Sequence, residues 1–134
     1  MTISPTIEAR SIVIKALKAA PSVTAKIPAD RLYPTVTPAS PAKPFGRYGV
    51  ESVDPFRASC WRGGSVDGSY HVFVNKAADI PDPKAYAEQA IAAIADVLDG
   101  LPDCHVERTQ MMEGTDADSW HGVVMFTMTL VEQL

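Results

Sequence analysis

Trp120-His121-Gly122-Val123-Val124-Met125-Phe126-Thr127-Met128-Thr129-Leu130-Val131 is the stretch that sets the architecture of this chain. Its β-branched and aromatic content favours a strand, on which successive side chains alternate between two faces. One face carries Trp120, Val124, Phe126, Met128 and Leu130; the other carries Val123, Met125 and Val131, interleaved with His121, Thr127 and Thr129. The first face needs a full apolar cover and the second a partial one. Only two convincing helices are available elsewhere, and in a small α+β domain they lie together on one face of the sheet. The second face is therefore expected to be covered from outside the monomer.

The remaining elements follow from local chemistry. Ser4-Pro5 is a hydroxyl cap followed by proline at the first helical position. Ile7, Ile14 and Leu17 then form one stripe, with Val13 and Ala20 at its margin, until Pro21 stops the helix. A further turn from Ser22 to Ile27 precedes a short extended piece, Arg31-Leu32-Tyr33-Pro34. Pro34, Pro38, Pro41 and Pro44 exclude a helix or a central strand. The last three, spaced by three, would align on one ridge of a polyproline II arm. Such an arm crosses the surface or reaches a neighbouring subunit.

Phe45 to Val53 reads as a strand broken by Asp54-Pro55, and Phe56 to Trp61 as its extension or part of a long loop. Gly63-Gly64 and Asp67-Gly68 supply turn chemistry. Ser69 to Asn75 forms the next strand, with Tyr70, Val72 and Val74 alternating against His71 and Phe73. Asp82-Pro83 opens the clearest helix, whose stripe is Tyr86, Ala87, Ala90, Ile91, Ile94, Val97 and Leu98; Asp99-Gly100 closes it. A strand from Cys104 to Met112 and a polar hairpin loop from Glu113 to Ser119 complete the chain. These pieces predict a single α+β domain over residues 1–134. It has a mainly antiparallel β-sheet, two principal helices packed on one face, and a long proline-containing arm.

Hydrophobic residues make up 46% and charged residues 21%, the balance of a globular protein. A net charge of −4 gives no general attraction for nucleic acid or anionic membrane. Residues 1–10 lack the apolar segment of a signal peptide, and no apolar run approaches a membrane span. The expectation is synthesis in a cytoplasm with both cysteines, Cys60 and Cys104, reduced.

Reactive constellations are weakly supported. The three histidines, His71, His105 and His121, fall on three different strands without the close ligand pairs of a zinc site. Cys60 lacks the strand–nucleophile–helix elbow that would build an oxyanion hole, and Asp116 and Asp118 are too few for a calcium loop. No cofactor, metal or catalytic residue is expected. Phe56, Arg57, Trp61 and Arg62 form an aromatic–arginine cluster of the composition found at subunit interfaces. With Met125, Pro38 and Pro41 they are the candidate interface residues.

The order of these pieces resembles the tail-completion proteins of long-tailed bacteriophages, also called tail terminators or head–tail joining proteins. Its carriers are the N-terminal helix, Asp30-Arg31-Leu32-Tyr33-Pro34, the strand around Tyr48-Gly49-Val50-Glu51, and Tyr70-His71-Val72-Phe73-Val74. The alanine-rich helix Ala85 to Leu98 and the closing Phe126-Thr127-Met128-Thr129-Leu130-Val131 follow. The resemblance covers about Ile7 to Glu132. It implies a homo-oligomeric ring, commonly a hexamer, on the last layer of the tail tube in the neck of a virion. Its partners would be the tail-tube protein and a head-connector or stopper protein, with DNA passing through the channel without sequence recognition. Phage-derived gene-transfer agents carry the same part, and the family brings no catalytic residues. The alternative from the residues alone is a small dimeric α+β ligand-binding or regulatory domain.

Overall fold

The computed structural model describes residues 4–57 and 61–133. Its elements are α1 (Pro5–Ala19), α2 (Pro21–Thr24), β1 (Leu32–Tyr33), β2 (Phe45–Tyr48), β3 (Ser52–Arg57), β4 (Trp61–Asn75), α3 (Pro83–Asp99), β5 (Cys104–Glu113) and β6 (Ser119–Gln133). They form one sheet in the order β1-β2-β4-β6-β5, with β3 also paired to β4. Every pairing is antiparallel except β1 with β2. The α+β class, the mainly antiparallel sheet and the two principal helices agree with the expectation.

Both long helices begin where their sequences place them, although the Ser4 hydroxyl makes no capping hydrogen bond to the α1 backbone. Proline occupies the first turn of each, and the Asp82 carboxylate accepts the Ala85 N–H at 3.1 Å to cap α3. Ala9, Val13, Ile14 and Leu17 bury the inner side of α1; Ala87, Ala90, Ile91, Ile94 and Leu98 do so for α3. They pack on Val66, Tyr70, Val72 and Val74 of β4 and on Val124, Phe126 and Met128 of β6, all at most 1% exposed. Ile7 departs from the expected stripe: it is 58% exposed and lines a surface groove with Arg10, Ile14 and Pro34.

Four further expectations are corrected. Gly63-Gly64 and Asp67-Gly68 are not turns; they lie inside β4, which runs unbroken for 15 residues. Close approach explains these glycines. A Cβ on Gly63 would stand 1.9 Å from the Leu130 carbonyl oxygen, and one on Gly68 2.6 Å from the Phe126 ring. Asp54-Pro55 does not break its strand either. Pro55 sits within β3, which among the described residues pairs only with β4, so the missing N–H falls where an edge strand tolerates it. The break lies instead at residues 49–51, between β2 and β3. Finally, the prolines form no single ridge. The chain bends at residues 34–35, 39–40 and 43–44, leaving Pro38 exposed, Pro41 half-buried and Pro44 buried.

The central pair dominates the shape. β4 and β6 are in register from Trp61 opposite Gln133 to Asn75 opposite Ser119. Fifteen extended residues span about 50 Å, whereas the 17 residues of α3 span about 25 Å. The strands are about twice as long as α3, and α1 carries the helical layer on to Gly64, where a Cβ would lie 3.4 Å from Pro5 Cγ. β3 continues the ladder along the far half of β4, and its residues 52–56 are exposed.

Candidate assembly surface

Exposed apolar side chains lie at several places: Ile7 on α1, Val36 in the arm, Val50 in the break between β2 and β3, and Val53, Phe56 and Val131 on the β3–β4–β6 end of the sheet. Among the described residues, Val50 is 85% exposed, Val131 44%, Phe56 37% and Val53 36%. Phe56 and Val131 stand opposite Gly63 from either side, in one row across β3, β4 and β6. Two apolar side chains flank a residue with no side chain, and the row is open to solvent. Such a row is a contact surface in waiting.

The uncovered part of the second face is therefore not where expected. In its middle, Val123 is 2% and Phe45 6% exposed, while Met125 is half-buried beneath the Arg108 guanidinium, which reaches its sulfur at 3.5 Å. An aromatic row closes much of this face from within. Phe45 stacks on Phe73 at 4.8 Å and Phe73 on His121 at 4.3 Å, each pair in register across β2, β4 and β6. Flat rings lying in a row on the pleat shield one another and the backbone beneath.

The sheet also brings together two of the three histidines. His71 Nδ1 and His121 Nε2 are 2.7 Å apart, and His71 Nε2 lies 3.0 Å from the Ser69 hydroxyl. Burial, the neighbouring His121 and then Arg47 push the His71 pKa down to about 4; burial and Arg47 lower that of His121. Both rings are neutral near pH 7, one donating to the other. His105 stands apart on β5 and bonds Glu107 at 2.9 Å. No group of three or more His, Cys, Asp or Glu side chains among the described residues is arranged to hold a metal ion.

Beside them, the Thr127 hydroxyl stands 2.6 Å from both Asp67 Oδ1 and Glu107 Oε1. It has one proton, so it donates to one carboxylate at a time. The Thr127 contact, followed by His105, holds the Glu107 carboxyl below its usual range. Cys104 is buried, and burial followed by the nearby Asp99 pushes its thiol up to about 11, far from a nucleophile's range. Cys60 lies outside the described residues. Asp116 and Asp118 sit in the β5–β6 loop, the first 3.8 Å from the Lys43 ammonium and the second at a φ of 57°.

Of the candidate interface residues, Phe56 is at the open end of the sheet; Arg57 and Arg62 are register partners across β3 and β4, and Trp61 is the first residue of β4. Met125 lies near the middle of β6, and Pro38 and Pro41 lie in the arm before β2. The structure thus gathers four of the seven and separates three. Val50, Val53 and Val131 were missed as interface candidates. Alternation marked Val131 as facing away from the core, but nothing local showed that Phe56 and the bare Gly63 stand beside it in one row.

A family model described as tail completion protein gp17 matches residues 12–130. The chain belongs to this tail-completion family. It is accordingly a structural protein of phage-type tails and a virion component. No curated protein matches the sequence significantly. Among solved structures, a chain from a virion of a native gene transfer agent particle is similar, with a TM-score of 0.80 and 19% identity. The match covers 98% of the present chain and 100% of that one. At that identity it speaks for a shared fold across the length of both.

Proposed function

We propose that this tail-completion protein forms a ring, a hexamer as is common in its family, that caps the tail tube, stops its polymerisation and joins tail to head connector. DNA passes through the ring without sequence recognition. The observation that carries the proposal is the three-stranded end of β3, β4 and β6. Phe56 and Val131 stand exposed there on the face without helices, and Val53 is exposed at the margin of the other face. An isolated protomer gains nothing from such exposure, whereas a neighbouring subunit or the last tube layer can cover it. Phe56, Arg57, Trp61 and Arg62 form the main contact in this scheme, with Met125, Pro38 and Pro41 as secondary contacts. The net charge of −4 suits a channel through which DNA slides, because adsorption to phosphates needs clustered cations.

The test is electron microscopy of tails assembled without this protein. Tubes of excessive and variable length are expected; tails of normal, uniform length would refute termination.

A further inference from the structure

The two lateral edges of the sheet differ in charge. At the β1–β2 edge, a groove of about 380 Å³ runs between α1 and Pro34 and is lined by Ile7, Ile14, Arg10 and Lys15. A second hollow of about 320 Å³ adjoins it through Arg10 and Pro34 and adds Arg47, Val50 and Glu51. Arg10 already binds Glu51 at 3.1 Å. Three cations against one carboxylate leave this edge net positive among its described lining residues, with Ile7, Pro34 and Val50 exposed along it. At the β5 edge, a groove of about 390 Å³ lies between α3 and β5. Its charged lining residues are Glu88 and Asp96, both exposed, over Ile91, Ala92, Ala95 and Met111. Two carboxylates and no cation line it.

We infer that the basic α1–β2 edge of one copy docks against the acidic α3–β5 edge of the next. This rests on the ring reading above and says how its subunits meet. The grooves lie on opposite edges, four strand spacings or about 19 Å apart in the sheet. A two-fold dimer would set each edge against its own like, basic on basic or acidic on acidic. A head-to-tail contact pairs opposite signs at every interface, and such contacts form a ring where the rotation between neighbours closes. Apolar side chains supply the buried area, and the charges choose the partner edge and speed the encounter.

The test uses the full chain in sedimentation at low and high salt, with Lys15→Glu, Glu88→Lys and the double variant. These side chains are exposed, so the substitutions leave the core untouched. The wild type is expected to assemble beyond a dimer, less so at high salt. Each single reversal should weaken association by about tenfold, and the double should return to within about threefold of wild type. A wild type that stays monomeric or stops at a dimer overturns the contact, as do singles that associate normally or a double no better than the singles. Tail lengths separate this from the functional proposal. Overlong tubes without the protein, together with normal assembly of both single variants, would keep termination and discard this contact. Uniform tails with the expected reversal pattern would do the opposite.

Discussion

Gly122 shows how one atom sets the distance between helix and sheet. A Cβ there would lie 1.8 Å from Ile91 Cδ1, so α3 descends onto β6 only because position 122 has no side chain. Gly122→Ala is expected to cost about 1–3 kcal/mol in urea unfolding, and Ile91→Val in the same chain should recover part of that by shortening the obstructing side chain. The histidine pair makes a second prediction. In the fold His71 has a pKa of about 4, against 6.5 when unperturbed. Below pH 6.5 the unfolded chain binds a proton that the folded chain refuses, so stability is full above that pH and falls as pH drops towards 4. Thermal unfolding should show Tm declining through this window. The His71→Gln/His121→Gln double variant should decline less.

The β3–β4–β6 end is the element that a free monomer does not need. Its apolar row, Phe56 and Val131, touches no helix core, and its exposure is already partial in the monomer. Replacing both with serine should change stability by no more than about 0.5 kcal/mol per site. Particles assembled with that variant should nevertheless show tails of irregular length. Normal tails with an unchanged monomer would mean that this row is not a contact.

For the molecule as a whole, the sheet divides folding from assembly. Met128 is 1% exposed in the core between sheet and helices, whereas Met125 is half-buried on the opposite face. Met128→Asp puts a charge where no partner exists and should leave the chain unfolded, losing about 4 kcal/mol or more. Met125→Asp should keep a cooperative unfolding transition and impair association. Circular dichroism with sedimentation separates the two, and equal loss of folding in both would show that the faces are not divided in this way.

Periodicity and capping residues were enough to place most elements. Alternation from Trp120 to Val131 identified the buried face of β6; Asp82-Pro83 and Ser4-Pro5 located both helix starts; and the order of pieces pointed to the family. These signals are local, because they arise from side-chain direction and from the first unsatisfied N–H groups of a helix. The length of β4 was not legible. Gly63, Gly64 and Gly68 look like turn residues until Leu130, Val53 and Phe126 are seen pressing against them from other segments. The partial self-closure of the second face was hidden as well, since Phe45, Phe73 and His121 come together only through pairing between β2, β4 and β6. Which apolar side chains of the second face stand bare together depends on the register that sets Phe56 and Val131 beside Gly63. That register is fixed by pairing among three strands distant in the chain, and no single stretch of sequence contains it.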